Sequence, residues 1–195
     1  MCSWCWGYRD TLEQLKQHLS ADVSYHAILG GLAPDTDSPM PDDMQLQIRS
    51  NWKRIQETIP GVQFNYEFWT RCTPRRSTYL ACRAVLTASK YQLQEQMNLA
   101  VQQAYYLQAR NPSDTSVLLE LAEELGIDKK DFHDKLISDE TEQLLRKHIE
   151  FSHEIGADSF PTLFFYKDET FFPLVLDYTN YQITLDHLNS LNQDE

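Results

Sequence analysis

The apolar residues at the start of the chain repeat with the spacing of one helix face. Steps of three, four, three and four residues separate Cys5, Tyr8, Leu12, Leu15 and Leu19. Such steps are typical of an amphipathic helix that packs against a core through one stripe. The pattern therefore predicts a helix from Cys5 to Leu19. It places the tetrapeptide Cys-Ser-Trp-Cys, residues 2–5, at the N-terminal end of that helix.

The segment that follows has a different pattern. From Val23 to Leu32, apolar and polar residues alternate, and the segment becomes apolar before the paired glycines 30–31. This pattern predicts a β-strand. The next residues, APDTDSPMPDD, are rich in Pro, Asp and Ser, which predicts a loop that leads from one structural unit to another.

The middle of the chain has mostly helical periodicity. We predict helices where apolar stripes run through residues 44–59, 82–89, 93–107, 117–125 and 144–155. Gly126 and Gly156 follow the last two stripes, and glycine is common just after the end of a helix. A shorter alternation over residues 62–68 predicts an extended segment after the first of these helices.

The last part of the chain returns to strand patterns. Residues 159–166 and 170–176 are rich in aromatic and β-branched side chains, and a polar Lys-Asp-Glu tripeptide separates them. This arrangement predicts a β-hairpin. Thr179 and Gln182 have the spacing of a capping box, which would begin a closing helix that extends through Leu191.

The order of these patterns predicts one discontinuous domain of the α/β class. Residues 1–32 and 159–195 would form a small α/β unit, and residues 33–158 would form an all-helical insertion within it. The length of 195 residues suits one domain with a large insertion. A hydrophobic content of 42% is enough for a core that does not depend on disulfides.

The charge balance limits the classes of partner. The chain has 17 basic and 29 acidic side chains, for a net charge of −12. This argues against nucleic acid or an anionic membrane as a partner, because phosphate groups are bound largely by Lys and Arg. We find no apolar run that could span a membrane and no secretory signal, so we expect a cytoplasmic protein. In the cytoplasm, a CxxC sequence is more often catalytic or metal-binding than structural.

The position of the CxxC predicts redox chemistry. Unpaired N–H groups and the positive end of the helix dipole face the first cysteine and stabilise its thiolate. We therefore predict that Cys2 is the nucleophile that attacks a disulfide and that Cys5 resolves the mixed disulfide. No bound cofactor is required. Pro161, at the start of a predicted strand, is the second candidate, because thioredoxin-like sites pair a CxxC helix with such a proline.

Two other interpretations of the CxxC are weaker. Cys2 and Cys5 could be buried structural thiols, although a CxxC that begins an amphipathic helix is a fairly specific arrangement. A zinc site would need four ligands, and zinc ribbons usually contain a second CxxC. The remaining cysteines, Cys72 and Cys82, have nine residues between them, and no histidine lies within three residues of a cysteine. We therefore predict no metal.

The sequence resembles the DsbA family of thioredoxin-fold oxidoreductases, in particular its FrnE-type branch of predicted dithiol–disulfide isomerases. The matching stretches are MCSWCWG (1–7), GGLAPDTDSPMPDDM (30–44), ACRAV (81–85) and GADSFPTL (156–163). The resemblance implies a thioredoxin-like fold interrupted by a helical insertion.

The resemblance also implies roles for individual residues. Cys2 would attack and Cys5 would resolve, while Ser3 and Trp4 form the dipeptide that tunes the redox potential in such proteins. Pro161 would follow a cis peptide bond and face the CxxC. Backbone near Phe160 would pair with an extended substrate.

The sequence departs from the family pattern in two places. The family's first strand normally leads into the CxxC, whereas only Met1 precedes it here. We therefore expect that residues upstream of Met1, and with them the opening strand, are missing. The dipeptide Ser3-Trp4 also differs from the Pro-His of strong periplasmic oxidants, so oxidant strength cannot be carried over.

Several other residues have two interpretations. Trp4 and Trp6 could form an apolar rim that binds substrate, or could pack against the insertion, as we expect of Trp6. Arg75 and Arg76 could bind an acidic ligand such as glutathione, or could be a solvated pair in a loop. His26 could tune Cys2 or could be a core histidine.

The two cysteines outside the CxxC also leave a choice. Cys82 lies on an apolar helical stripe and is best interpreted as a core residue. Cys72 lies in a polar stretch and could be exposed. A disulfide between them is conceivable, but ordinary thiols are the simpler interpretation.

These features together predict a thiol–disulfide oxidoreductase or isomerase that acts on protein or peptide thiols and disulfides, with glutathione as a candidate co-substrate. One alternative is a glutathione-dependent transferase or isomerase of the kappa type, although the intact Cys2–Cys5 pair argues against it. Another alternative is a non-catalytic binding module on the same fold.

Overall fold

The structure is a computed structural model, and it describes residues 1–193. Within that range most of the chain is helical, and one two-stranded sheet lies near the C-terminal end. The elements in chain order are α1 (Ser3–His18), α2 (Asp42–Thr58), α3 (Phe68–Arg71), α4 (Tyr79–Ser89), α5 (Gln94–Tyr106), α6 (Thr115–Glu124), α7 (Lys129–Leu136), α8 (Asp139–Glu154), β1 (Phe164–Lys167), β2 (Thr170–Pro173) and α9 (Tyr181–Gln193).

Each predicted helix forms, and the structure adds two that the pattern did not predict. One is the single turn α3, and the other is α7, where the Asp128 side chain accepts a hydrogen bond of 2.8 Å from the N–H of Asp131. Two buried side chains, Phe132 and Leu136, attach α7 to the core. Eight residues offer too few apolar positions for a convincing helical repeat.

The predicted extended segment at residues 62–68 is not a strand. Its alternating apolar residues reflect packing, because Phe64 and Phe68 are both buried. The N–H of Asn65 instead donates a hydrogen bond of 2.6 Å to the carbonyl oxygen of Tyr106 at the end of α5. Residues 62–65 have no regular secondary structure, residues 66–67 form a turn and α3 begins at Phe68, so the prediction of an extended segment is wrong for its second half.

The predicted strand at residues 23–32 is also absent, although its alternation is real. Val23, Tyr25, Ala27 and Leu29 are half-buried, while the residues between them are exposed. One face of the segment therefore lies against the molecule. None of the strands described within residues 1–193 pairs with it, so the ladder of hydrogen bonds that defines a strand does not form.

The predicted hairpin forms with shorter strands than expected. β1 and β2 are antiparallel, with Phe165 opposite Phe172. The two residues that connect them, Asp168 and Glu169, both have positive φ, at 50° and 61°. Two-residue hairpin loops use such left-handed residues because their twist matches that of the strands.

The predicted capping box before α9 does not form. The Asn180 side chain accepts a hydrogen bond of 3.0 Å from the N–H of Gln182 and so caps the helix. Thr179 instead donates to the Asp177 carboxylate, and the Gln182 amide donates to Asp186. Asn is a better N-cap than Thr, which explains the shift of one residue.

Two clusters of buried side chains form the core. The aliphatic cluster lies among α4, α5, α6 and α7 and consists of Ala81, Ala84, Val85, Ala88, Met97, Val101, Ala104, Leu118, Leu121, Ala122, Ile127, Phe132 and Leu136. The aromatic cluster gathers around α2 and consists of Trp6, Met40, Trp52, Ile55, Ile59, Phe64, Phe68, Trp69, Tyr105, Tyr106 and Ala109.

Helix α1 is fixed between α2 and α9. It approaches α2 closely at Gly7, where an added Cβ would lie only 2.8 Å from Cδ1 of Ile59. On its other side, the Thr11 hydroxyl donates a hydrogen bond of 2.7 Å to the carbonyl oxygen of Tyr178, just before α9. Contacts on both sides therefore fix where the N-terminal end of α1 points.

The helices that the structure describes include no candidate membrane span. Within residues 1–193, no helix combines the length and the apolar character that a membrane span needs.

Candidate functional site

The N-terminal end of α1 carries the CxxC, as the sequence predicts. Cys2 is the N-cap residue, with extended backbone angles of φ −91° and ψ 115°. Its Sγ accepts a hydrogen bond of 3.3 Å from the N–H of Cys5. A sulfur in this position satisfies a backbone donor that would otherwise lack a partner, and it lies at the positive end of the helix dipole.

The two thiols of the CxxC differ strongly in acidity. The hydrogen bond from the Cys5 side chain lowers the pKa of Cys2 to about 7, with help from the Cys5 N–H and against the opposing effect of burial. The same hydrogen bond raises the pKa of Cys5 well above its usual range, and burial raises it further. Near neutral pH, Cys2 is therefore the thiolate of the pair and Cys5 keeps its proton.

The chain's distant C-terminal part completes the site. The peptide bond between Phe160 and Pro161 is cis, as the family resemblance implied. The carbonyl oxygen of Phe160 lies 3.4 Å from Sγ of Cys2, within hydrogen-bond distance of the protonated thiol. The Phe160 ring packs on Gly30, where an added Cβ would lie 2.5 Å from ring atom Cε1. Glycine at position 30 thus lets Phe160 approach the 30–32 segment.

The dipeptide between the cysteines is held by residues of other elements. Ser3 Oγ accepts a hydrogen bond of 3.0 Å from Nε1 of the buried Trp52 in α2. The half-buried Trp4 ring packs edge-on against Tyr178, with ring centroids 5.1 Å apart. The Arg54 guanidinium lies over the same ring at 5.1 Å from its centroid, a cation–π distance.

Trp6 lies in the core, so its predicted role in substrate binding is corrected here. Only 8% of its surface is exposed, and its ring stacks on Tyr106 at a centroid distance of 5.5 Å. Its Nε1 donates a hydrogen bond of 3.0 Å to the carbonyl oxygen of Gln63. This matches the other interpretation, in which Trp6 packs against the helical insertion.

A cleft of about 220 Å³ opens beside Cys2. It lies between the start of α1, one face of α2 and the segment before α4. We call it the Cys2 cleft, and its lining residues are Met1, Cys2, Ser3, Trp4, Leu32, Met40, Met44, Gln47, Ile48, Asn51, Arg75, Arg76, Ser77, Thr78, Tyr105, Pro112 and Ser113. A second, more open groove of about 590 Å³ shares Leu32 with the Cys2 cleft and includes Phe160 and His153.

The other cysteines and His26 lie outside this chemistry. All four cysteines are free thiols in the structure, and Cys72 Sγ donates to the carbonyl oxygen of Ala109 at 3.1 Å. Burial raises the pKa of Cys82 to about 11, which favours an unreactive thiol. His26 is exposed and contacts the Ser24 hydroxyl, so it is neither a core histidine nor a neighbour of Cys2.

The part of the chain that the structure describes contains no cluster of side chains suited to bind a metal ion. Across residues 1–193, no three side chains of the His, Cys, Asp and Glu types lie together as metal ligands would.

Sequence patterns did not identify several neighbours of the site. Trp52 was recognised only as part of a helical stripe, and its hydrogen bond to Ser3 depends on how α2 packs on α1. Arg54 and Tyr178 had no local signal. Leu32 did have one, because it belongs to the stretch 30–44 that resembles the DsbA family and that also supplies cleft residues of the loop and α2.

Three solved structures that are similar to this one are described as thiol–disulfide redox proteins. A candidate protein disulfide isomerase from Nitrosomonas europaea superposes with a TM-score of 0.83 at 25% identity, over 100% of this chain and 95% of that one. The cytosolic disulfide reductase DsbM from Pseudomonas aeruginosa superposes with a TM-score of 0.75 at 21% identity, over 99% and 93%. A second DsbM structure, with GSH, has a TM-score of 0.73 at 21% identity, also over 99% and 93%.

One curated protein is similar over most of this chain. The ClpXP adapter protein SpxH from Halalkalibacterium halodurans is 22% identical over 174 residues, or 86% of this chain and 56% of that protein. The chain therefore spans about half the length of this curated relative. The model of the DSBA-like thioredoxin domain matches residues 1–181. The chain belongs to the family of DsbA-like thioredoxin domains.

Proposed function

We propose that this protein is a thiol–disulfide oxidoreductase in which Cys2 is the nucleophile and Cys5 the resolving thiol. The observation that carries the proposal is the position of Cys2 Sγ, which accepts the N–H of Cys5 at 3.3 Å. That position, together with the Cys5 side chain, lowers the pKa of Cys2 to about 7. About half of the Cys2 side chains are then thiolates at neutral pH, and the thiolate is the attacking species.

The proposed reduction of a substrate disulfide takes two steps. The Cys2 thiolate attacks one sulfur of the substrate, the substrate S–S bond breaks, and the first substrate thiolate leaves with a proton from solvent. Cys5 then loses its proton and attacks Cys2 Sγ, which releases the second substrate thiolate and forms the Cys2–Cys5 disulfide. Two electrons pass from the pair to the substrate, and the reverse sequence oxidises a dithiol.

The residues around the pair would set its potential and receive the substrate. Ser3 and Trp4 are proposed to tune the potential, since both are fixed by neighbours outside α1. Backbone at Phe160 and Pro161 is proposed to pair with an extended substrate, because the Phe160 carbonyl lies beside Cys2 Sγ. The catalytic unit would be residues 1–32 with 159–195, and residues 33–158 the helical insertion.

We also propose the direction of the reaction and its small-molecule partner. The protein would act as a reductase of peptide or protein disulfides in the cytoplasm, with glutathione as co-substrate and no bound cofactor. The similarity to DsbM, a cytosolic disulfide reductase that has also been solved with GSH, supports this proposal.

The test is the equilibrium reduction potential of the Cys2–Cys5 pair in glutathione buffers. A two-electron couple near thioredoxin's value of roughly −270 mV would support a reductase, whereas one near about −120 mV would indicate an oxidant. Cys2→Ser is the control and removes the couple. If the wild-type pair shows no couple, the redox proposal fails, and a binding role on this fold becomes the better hypothesis.

The acidity of Cys2 gives an independent check. The rate of alkylation by iodoacetamide should rise with pH through a midpoint near 7, because the pKa of Cys2 is lowered to about 7. The reaction is followed by mass spectrometry in a Cys5→Ala background and in the wild type. Loss of the Cys5 side-chain hydrogen bond should raise this midpoint. A midpoint above 8.5 in both proteins, the usual range of a free thiol, would contradict the assignment of Cys2.

A further inference from the structure

The Cys2 cleft has an unusual charge for this protein. The chain carries 29 acidic side chains and a net charge of −12. Yet the described residues that line the cleft include no Asp and no Glu, while Arg75 and Arg76 both belong to the lining. A concave site that lacks carboxylates and contains guanidinium groups attracts an anion, and the field is strongest where solvent is excluded.

The two arginines are not equivalent. Arg75 is already satisfied, because its Nη2 donates to the carbonyl oxygen of Ser113 at 2.7 Å and forms an ion pair with the Asp114 carboxylate. Arg76 makes only a long contact of 3.9 Å to the sulfur of Met44. Within residues 1–193 no carboxylate pairs with Arg76, so its charge faces the cleft without a partner of opposite charge.

Besides Arg76, a second guanidinium that has no carboxylate partner within residues 1–193, that of Arg54, adds to the positive charge near the opening of the cleft. Arg54 lies over the Trp4 ring and donates a hydrogen bond of 3.3 Å to Oδ1 of Asn51, itself a cleft residue. In the described part of the chain, Arg54 has no carboxylate partner either. The cleft therefore combines a nucleophilic sulfur, polar side chains and unpaired positive charge within a space of about 220 Å³. That space suits a small molecule or a chain end rather than a folded surface.

We propose that Arg76 is a specificity-determining residue that binds a carboxylate of the thiol or disulfide reacting at Cys2. The ligand class is a small acidic thiol or its disulfide, with a free carboxylate a few bonds from the sulfur, as in glutathione. A guanidinium binds a carboxylate through two parallel hydrogen bonds and thereby orients the sulfur as well as attracting it. This inference rests on the proposed redox function.

The reaction that Arg76 would favour is the re-reduction of the oxidised pair. A thiolate of the small acidic thiol attacks Cys2 Sγ, the Cys2–Cys5 bond breaks, and Cys5 leaves and takes up a proton. A second thiol molecule attacks the mixed disulfide at the ligand sulfur and releases Cys2 as a thiolate. Two molecules of thiol supply two electrons and leave as one disulfide.

The test compares two ligands that differ by two carboxylate charges and two small ester methyl groups. The oxidised full chain is mixed with glutathione or with its dimethyl ester, in which both carboxylates are blocked, and the rate of reduction is followed by tryptophan fluorescence. Each rate constant is divided by the fraction of the ligand that is present as thiolate. The different thiol pKa values of glutathione and its ester then do not affect the comparison. We expect wild type to prefer glutathione by about 10-fold at low salt, and we expect the preference to shrink as salt screens the charges.

Three variants locate the effect. Arg76→Gln should reduce the ratio of the two rate constants to within about 2-fold, and Arg76→Lys should restore part of it because the charge remains while the bidentate geometry is lost. Lys130→Gln is the matched control. It removes one exposed positive charge from α7, outside the cleft lining, and should keep the wild-type ratio.

The outcomes separate this inference from the proposed function. Equal rates for glutathione and its ester in wild type, or an unchanged ratio in Arg76→Gln, would overturn the role of Arg76 while leaving the redox reaction intact. Failure of every thiol, including dithiothreitol, to reduce the protein would overturn the proposed function and this inference with it.

Discussion

The two buried clusters have different relations to the CxxC. The aromatic cluster directs polar groups outward, since Nε1 of Trp52 donates to Ser3 between the cysteines and Nε1 of Trp6 donates to Gln63. The aliphatic cluster is made almost wholly of side chains that have no hydrogen-bonding group. The aromatic cluster therefore stabilises the fold and also positions Ser3 through a hydrogen bond. Among the described residues, the aliphatic cluster makes no hydrogen bond to the CxxC and reaches the cleft only through the packing of Met1.

This difference shows how a helical insertion can influence a site on another element. Trp52 has no exposed surface and lies among six aromatic neighbours, so its indole has little freedom to move. Its hydrogen bond fixes Ser3, and Ser3 lies in the first turn of the helix whose N–H groups stabilise the Cys2 sulfur. Packing in the insertion is thereby connected to thiol chemistry through one hydrogen bond.

The largest expected effect comes from the aliphatic cluster, whose described residues reach the Cys2 cleft only through the packing of Met1. Leu118→Ala should lower the free energy of unfolding by about 2–5 kcal/mol, because it leaves a cavity where Leu118 is fully buried. The pKa of Cys2 and the reduction potential should not change. Chemical denaturation measures the first quantity and alkylation rates the second. A shift in the Cys2 pKa would remove the contrast between the clusters.

Trp52→Phe should affect both stability and chemistry. Loss of the hydrogen bond to Ser3 and of part of the ring should lower the free energy of unfolding by about 1–3 kcal/mol. The first turn of α1 then loosens, the N–H of Cys5 holds the Cys2 sulfur less well, and the pKa of Cys2 should rise by about 0.3–0.5. The pH dependence of alkylation measures this shift.

Ile55→Val is the matched control for Trp52→Phe. It removes one methylene from the same helix and the same cluster, should cost about 0.5–1.5 kcal/mol, and should leave the pKa of Cys2 unchanged. If both variants shift the pKa equally, general loosening of α2, rather than the hydrogen bond to Ser3, controls the thiol.

Trp6→Phe tests whether every indole of the aromatic cluster matters to the site. The variant loses the hydrogen bond to the Gln63 carbonyl and should lower the free energy of unfolding by about 1 kcal/mol. Because this bond leads away from the cysteines, the reduction potential should equal that of wild type. A changed potential would show that Trp6 positions α1 as Trp52 does.

Tyr106→Phe is expected to have the smallest effect. The buried Tyr106 hydroxyl has no hydrogen-bond partner among the residues that the structure describes. Removing an unsatisfied buried group avoids the cost of desolvating it, so thermal denaturation should show unchanged stability or a gain of up to about 1 kcal/mol. Destabilisation by more than that would mean that the hydroxyl interacts with a group such as Ser3.

The sequence predicted the features that depend on local order. Apolar spacing placed α1, and the CxxC therefore began a helix, where Cys2 is the N-cap. The resemblance to the DsbA family implied the cis bond before Pro161. The helix follows from the spacing of neighbouring residues, and the cis bond follows from a motif shared with the family.

Features that depend on how elements pack could not be predicted. The alternation at residues 23–32 correctly indicated one buried face, but a strand also needs a partner, and local pattern does not reveal one. The Trp52–Ser3 hydrogen bond and the unpaired Arg76 arise from three segments that meet in space. The sequence left Trp6 with two interpretations, substrate binding or packing against the insertion, and its contact with Tyr106, a hundred positions away along the chain, decides for packing.

The contact between Cys2 Sγ and the Phe160 carbonyl joins residues 158 positions apart. During synthesis on the ribosome, the CxxC emerges before Phe160 does. Until Phe160 has been added, the Cys2 thiol lacks this side of the site and remains open to the cell's oxidants and to other nascent chains. Once the Phe160 side has folded against Cys2, the Cys2 sulfur would be partly covered and would react with fewer partners. The rate of translation would then determine when this selectivity is acquired.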